Sequence, residues 1–359
     1  MHSIKIFLLA SFIFITGINV VLAEITVITS IKPVHSLVSA VMKGIGSPSL
    51  LIDGADTPHT YSLRPSQARQ LQDADLVFWI GPELETFLEK PIEAIASDAL
   101  IVELLKTDGL TKHKYRQREN FDVHSHDEHK AQDDQDDQDD QDDHDGHDDH
   151  ETHQDDHDEH KAQDDHETHQ DEHDEHETHQ DETHYEGKLD PHIWLDPLNA
   201  AILISEITSV LSDLDPENKH IYDNNAELFL AKLDTLMTEV NEQLNDVQGG
   251  GFIVLHDAYQ YFEERFGIFA VGSIMLHPET LPGADHLKNL QNKVKSLEAA
   301  CVFSEPQFDP KLVSTITQNL PAGTGVLDSL GVSFANGPEL YFDVINQMAV
   351  SFRECLLTD

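Results

Sequence analysis

The chain has 359 residues, which is long enough for two domains with well-buried cores. Its formal net charge of −46 repels phosphate groups and argues against a nucleic-acid-binding protein. Lys5, an apolar run over 6–21 and small residues ending at Ala23 predict a secretory signal over 1–23. The alternative is an uncleaved membrane anchor, although the apolar run is short for a membrane-spanning helix. We therefore expect an exported protein whose mature chain starts at Glu24.

The first part of the mature chain alternates short apolar runs with helical patterns, which favours a parallel α/β sheet. The predicted strands lie at 25–30, around 50–52 and at 75–80, and the predicted helices at 33–43, 66–72 and 83–90.

An acidic, His-rich insert follows at 113–187. Between residues 113 and 184 the chain has 30 Asp and Glu, 5 Lys and Arg, and 16 of its 24 His residues. The segments HDEHKAQDD and HETHQD recur, and no apolar periodicity remains. Such a segment cannot bury enough surface to fold, so we predict that it is disordered. It is either a solvated spacer grown by repeat duplication or a collector of weakly bound zinc.

Helical patterns at about 198–211 and 216–247 come next, and the second would be about 48 Å long at 1.5 Å per residue. The rest of the chain alternates again. The predicted strands lie at 252–255, 270–274, 301–304 and 325–327, and the predicted helices at 258–266, 284–298, 310–319 and 339–354. The sequence thus predicts two parallel-sheet α/β lobes, 24–212 (with the insert) and 249–359, joined by one long, rigid helix at 213–248.

Three His residues outside the insert lie where a predicted strand gives way to a helix: His59, His192 and His256. Open α/β sheets place ligand sites beyond the carboxyl ends of their strands. Three neutral imidazoles suit zinc and leave one coordination position for water or another ligand. Because the three are far apart in sequence, spacing alone leaves open that each is a helix cap or a surface residue. Asp190 and Asp257 flank two of them and can orient the rings, and helix capping is the alternative for Asp257.

Four motifs carry a family resemblance. The sequences HTYSLRPS (59–66), DPHIWLDP (190–197), LHDAYQYFEERFG (255–267) and CVFSEPQF (301–308), in this order, resemble the zinc-specific periplasmic binding proteins of ABC importers, the ZnuA type. The resemblance runs from about Glu24 to the C-terminus. It implies two lobes, a long linking helix and one zinc ion in the cleft, held by His59, His192 and His256.

The resemblance also implies a function. The expected protein is a monomer that captures zinc in the periplasm and delivers it to an ABC permease, whose cytoplasmic ATPase acts indirectly. Asp328 matches a carboxylate ligand of the manganese-binding relatives, so it is either a fourth ligand or a residue that orients an imidazole. Cys301 and Cys355 match a disulfide of the zinc-type members. The alternative for an exported chain with two Cys is a pair of buried thiols.

Other functions remain as alternatives. A manganese or other divalent-metal carrier of the same family is the first, although an all-nitrogen ligand set suits zinc better than manganese. A zinc hydrolase needs a general base near the metal-bound water, and the sequence has no H-E-x-x-H motif. A zinc buffer or adhesin would depend on the insert. We therefore expect a transport protein and not an enzyme. His35, His220 and His286 fall in helical patterns and are expected to be solvated, and His277 precedes Pro278 at a strand end.

Overall fold

The computed structural model describes residues 25–116, 188–247, 251–275, 284–297, 299–318 and 321–357. The predicted signal segment, its cleavage site and most of the insert therefore lie outside the described residues. None of the helices in the described ranges combines the length and the hydrophobicity that a membrane span requires.

The N-terminal lobe is built on a parallel sheet of four strands in the order β2-β1-β3-β4. Its strands are β1 (Val27–Thr29), β2 (Ser49–Leu50), β3 (Leu76–Trp79) and β4 (Leu100–Glu103). Its helices are α1 (Lys32–Val41), α2 (Pro65–Gln72) and α3 (Thr86–Ile95). Each helix links consecutive parallel strands or packs beside them, as expected when a strand is followed by a crossover.

Two long helices follow the insert. Helix α4 (Pro197–Leu214) starts at Asp196, whose side chain accepts a hydrogen bond from the Leu198 N–H at 2.8 Å and caps the helix. Helix α5 (Lys219–Leu244) has 26 residues and is about 39 Å long at 1.5 Å per residue. It is shorter than predicted because residues 215–218 form a turn, which the Asn218 N–H closes on the Asp215 carbonyl at 3.2 Å.

The C-terminal lobe repeats the same topology. Its sheet has the order β6-β5-β7-β8, and all its strands are parallel. The strands are β5 (Phe252–His256), β6 (Ala270–Met275), β7 (Cys301–Ser304) and β8 (Gly323–Val326). The helices are α6 (Gln260–Phe266), α7 (Ala284–Ser296), α8 (Pro310–Ile316) and α9 (Leu340–Leu356). The predicted fold class of two parallel α/β sheets is confirmed.

Several buried contacts join the lobes. Helix α9 packs against both α5 and α1, and one apolar core runs from β1 through α5 to β7. The Tyr341 N–H donates to Ser36 Oγ at 3.0 Å, and the Tyr341 hydroxyl donates to the Trp194 carbonyl at 2.9 Å. Arg265 pairs with Asp196 through two contacts of 2.6 and 2.7 Å. The connection between the lobes is thus shared by helices α5 and α9. Packed side chains on both sides hold the cleft between the two sheets.

The disulfide between Cys301 and Cys355 is present, with a Cα–Cα distance of 6.0 Å. It joins the start of β7 to the last turn of α9, so it ties the helix shared by the lobes to the C-terminal sheet.

Candidate metal site

His59 comes from the loop after β2. It is the middle residue of a short 3-10 turn, Pro58–Thr60, in which Pro58 is buried and occupies the first position, where a missing N–H has no cost. The turn is anchored from its C-terminal side, since the Tyr61 ring packs edge-on against Phe87 at 5.1 Å. The Tyr61 hydroxyl also accepts a hydrogen bond from the Gln67 amide at 2.8 Å. The imidazole of His59 is therefore presented by a short, braced turn.

His192 lies between the stem of the insert and α4. Pro191 limits the backbone before it, and a 3-10 turn over Ile193–Leu195 follows it. Asp190 Oδ1 accepts from the His192 N–H at 3.0 Å and lies 2.7 Å from the ring Nδ1. Asp190 is itself held, because the Tyr261 hydroxyl donates to its carbonyl oxygen at 2.8 Å. The expectation that Asp190 orients His192 agrees with this geometry.

His256 is the last residue of β5, and the carboxyl end of β5 opens toward the cleft. Its ring Nδ1 lies 2.6 Å from Oε1 of Glu305, which follows β7 directly. Burial lowers the pKa of His256, but the nearby carboxylates, above all Glu305, more than offset this and leave its pKa raised. Glu305 was not singled out from the sequence, although it occupies the same place after β7 as His256 does at the end of β5.

The three His residues converge. Each offers a ring nitrogen, and these nitrogens all lie within 4.8 Å of one another. The ring centroids are 5.4 to 5.8 Å apart. A Nδ1–H that donates to a carboxylate leaves the Nε2 lone pair free for a metal, and this arrangement holds for His192 and His256. The His256 Nε2 is buried and has no hydrogen-bond partner within the described part of the chain.

The cavity between these rings is small, about 10 Å³. Apolar side chains close it from both lobes, among them Leu84, Trp194, Phe308 and Leu330. The donor set, the carboxylates behind two of the rings and the small volume all fit a zinc ion better than an organic substrate.

Asp328 has a different role in this geometry. One of its oxygens accepts from the Val332 N–H at 2.9 Å and the other from the Ser333 N–H at 2.8 Å. Next to it, Lys32 donates to the Phe334 carbonyl at 2.8 Å. Among the described residues, the group of metal-capable side chains contains the three His and does not contain Asp328.

Asp257 does not cap α6, since that helix begins three residues later. Its carboxylate is buried and pairs with Arg116 at 2.9 Å, and Arg116 also contacts Glu263 at 2.7 Å. Burial lowers the pKa of Arg116, but Glu263 and Asp257 more than offset this and leave its pKa raised. Burial also raises the pKa of Asp257 to about 7. Arg116 thus pairs with two buried carboxylates beside a metal-capable His, and sequence reasoning missed it because it lies inside the predicted insert.

The boundary of the insert changes accordingly. Residues 113–116 belong to the folded unit, because Lys114 forms a bridge with Leu189 and the Asp190 N–H donates to the His113 carbonyl at 2.9 Å. Among the other His residues, His220 is exposed as predicted, whereas His35 is buried against the Pro48 carbonyl at 3.2 Å and is not solvated. His277 and the side chain of His286 lie outside the described residues.

Comparison with known proteins agrees with this architecture. The family described as "Zinc-uptake complex component A periplasmic" (ZnuA) matches residues 27–355. The high-affinity zinc uptake system protein ZnuA of Brucella abortus is 48% identical over 330 residues, covering 92% of this chain and 91% of the relative. The ZnuA protein of Paracoccus denitrificans is 37% identical over 334 residues, covering 93% and 92%.

A crystal structure of a zinc-bound ZnuA deletion mutant superposes on the fold with a TM-score of 0.65 at 20% identity, covering 94% of this chain and 99% of the other. The family match spans nearly the whole folded chain and includes both lobes and all three converging His residues. The chain belongs to the ZnuA family, the periplasmic component A of zinc-uptake complexes.

Proposed function

We propose that the chain captures one zinc ion with His59, His192 and His256 and delivers it to an ABC permease in the membrane. The observation that supports this most directly is the convergence of three ring nitrogens within 4.8 Å in a small cavity. The family is that of a transport component and not of an enzyme, and the relatives from Brucella and Paracoccus are named as high-affinity zinc uptake proteins.

The choice of zinc over manganese follows from the ligand atoms. Manganese prefers oxygen donors, whereas imidazole nitrogens suit zinc. The carboxylate that would favour manganese is Asp328, and both of its oxygens accept backbone N–H groups of the loop that follows it. We therefore assign Asp328 to the support of that loop and not to the metal.

The remaining assignments concern the parts of the chain around the site. We assign 24–212 to the N-terminal lobe, 213–248 to the linking segment that contains α5, and 249–359 to the C-terminal lobe. We also assign the mature protein, cleaved after Ala23, to the periplasm. The insert adds weak zinc sites of its own, since many His residues stand three or four positions apart amid carboxylates. The chain acts as a monomer, and the ATPase of the transporter acts on it only through the permease.

The experiment is calorimetric zinc titration of the mature chain, of His59→Ala and of His192→Ala. One tight site per chain is expected for the parent, and its loss in each variant, with the melting temperature of the zinc-free protein nearly unchanged. The exposed His220→Ala serves as the matched control and should bind like the parent. Retention of the tight site in either ligand variant would remove that residue from the site.

A further inference from the structure

Gln307 lies in the turn after β7 and lines the same cavity as the three His residues. The Phe308 N–H closes this turn on the Glu305 carbonyl at 3.2 Å, so the turn fixes Gln307 relative to the carboxylate that orients His256. Both Oε1 and Nε2 of Gln307 are shielded from solvent, and neither has a hydrogen-bond partner within the described ranges.

A buried amide without partners is unfavourable, because it has lost its hydrogen bonds to water and gained none in return. Folded proteins rarely leave both ends of such a group unsatisfied. The Nε2 of His256, which lines the same cavity, is buried and unpartnered as well. A bound zinc would satisfy the His256 nitrogen, so the unpartnered Gln307 amide points to a small polar group beside the metal.

The carboxylates near the cavity in the described part of the chain already have other partners. Asp190 is engaged by His192, and Asp328 by two backbone N–H groups. Glu305 is the carboxylate that lines the cavity among the described residues, and its Oε1 faces the ring Nδ1 of His256 at 2.6 Å. A tetrahedral zinc ion with three imidazoles still needs one donor, and a neutral one matches these surroundings.

We propose that Gln307 is a positioning residue that holds a water molecule in the fourth coordination position of the zinc. This inference rests on the proposed three-His site. A zinc-bound water is a strong hydrogen-bond donor, and the amide Oε1 is a neutral acceptor with two lone pairs. Because an amide adds no negative charge beside the ion, the fourth ligand is a water that exchanges more easily than a bound carboxylate would. Such a site suits a carrier that has to release its ion.

The test compares Gln307→Leu and Gln307→Glu with the same two changes at Gln318, which is exposed in the same lobe. Gln318→Glu controls for the added charge and Gln318→Leu for the lost amide. Zinc affinity is measured by competition with a chromophoric chelator. The visible spectrum of the Co²⁺-loaded protein reports the ligand set, and the melting temperature of the zinc-free protein reports folding.

We expect Gln307→Leu to weaken zinc binding by about ten- to a hundredfold, the usual effect of removing a partner of a metal ligand, and to change the Co²⁺ spectrum. Gln307→Glu should bind zinc more tightly than the parent and give a third spectrum, because a carboxylate displaces the water. Both Gln318 variants should match the parent.

Two results would overturn the inference. One is parent-like affinity in Gln307→Leu. The other is weaker binding with a parent-like Co²⁺ spectrum and a lowered melting temperature, which would assign Gln307 to packing alone. Failure of the three-His site itself is separate, since it would appear as a parent that lacks a tight site or as His192→Ala that keeps one.

Discussion

The two lobes have the same strand order, but they use the crevice at the carboxyl ends of their two central strands differently. In each sheet the first and third strands of the lobe are neighbours, β1 with β3 and β5 with β7. In the C-terminal lobe the carboxyl ends of this pair carry His256 and Glu305, 2.6 Å apart. In the N-terminal lobe the same place holds Ser30 and a fully buried Glu85, whose carboxylate accepts from the Gly81 N–H at 3.0 Å.

Topology alone therefore creates the crevice, and the residue at the strand end decides its chemistry. An imidazole backed by a carboxylate makes a metal ligand, whereas a hydroxyl beside a carboxylate that caps backbone N–H groups makes a structural contact. The N-terminal lobe contributes its ligand from elsewhere, the loop after the edge strand β2, where His59 lies. The metal site is thus asymmetric although the two sheets are alike.

The largest expected effect is a difference in zinc binding between substitutions at the carboxyl ends of β5 and β1. Four-ligand zinc sites bind with roughly 10–16 kcal/mol, so one ligand is worth about 2.5–4 kcal/mol, and His256→Ala should weaken zinc binding by about a hundred- to a thousandfold. Ser30→Ala, at the equivalent place, should change it by less than about twofold. Chelator competition measures both, and similar losses in the two variants would contradict the assigned asymmetry.

The disulfide is a second difference between the lobes. It closes a loop of 54 residues at the start of β7, the end of the strand away from Glu305. The double variant Cys301→Ser/Cys355→Ser should lose about 4 kcal/mol of unfolding free energy in the chain-entropy account. Its zinc affinity should stay within a fewfold of the parent. Denaturant unfolding measures the first quantity, and thiol labelling of the unreduced parent should find no free thiol.

Much of this comparison was predictable from the sequence. Runs of buried residues such as Phe252–His256 identified the central strands, and the three His residues stood out because each was predicted to lie at a strand-to-helix junction. His192 instead lies between the stem of the insert and α4. Strand β4 was missed because it lies at the sheet edge and only Val102 is buried in it. The sequence could not pair His256 with Glu305, 49 positions away, or Arg116 with Asp257, 141 positions away, since such partners meet only in the folded chain.

The buried Glu85 predicts a pH effect that belongs to the N-terminal crevice. Burial raises its pKa to about 7 from an ordinary value of 4.5. The folded chain therefore holds this proton more tightly than the unfolded chain. The resulting stabilisation is fully present below about pH 4.5 and is lost as the pH rises through about 7.

Glu85→Gln, which is neutral throughout, should thus gain up to about 3 kcal/mol of unfolding free energy relative to the parent between pH 5 and 8. Denaturant unfolding of both zinc-free proteins across this range measures the difference. A difference that does not vary with pH would show that Glu85 has the same pKa folded and unfolded.

The matching substitution in the crevice of the C-terminal lobe should change the zinc affinity instead. Glu305→Gln removes the carboxylate that orients His256 and should weaken zinc binding by about ten- to a hundredfold. Glu85→Gln is the control, since Glu85 does not line the metal cavity, and should leave the affinity unchanged. Equal zinc affinities in the two variants would remove the distinction between the crevices.

The smallest expected effect is that of deleting the insert over 117–187. A slightly larger deletion, over 113–187, is its control. The two chain segments at the base of the insert meet, since the Tyr115 N–H donates to the Lys188 carbonyl at 3.1 Å, so a short Gly-Ser linker can replace 117–187. This deletion should keep the tight zinc site within about twofold of the parent, because the three ligands and their carboxylate partners remain.

Deleting 113–187 also removes Arg116, which leaves Asp257 and Glu263 buried without that cation. Loss of one partner of a buried ion pair costs about 3–5 kcal/mol, so the larger deletion should be less stable and bind zinc more weakly. Calorimetry and denaturant unfolding of both proteins test this, and indistinguishable behaviour would mean that the base of the insert does not support His256.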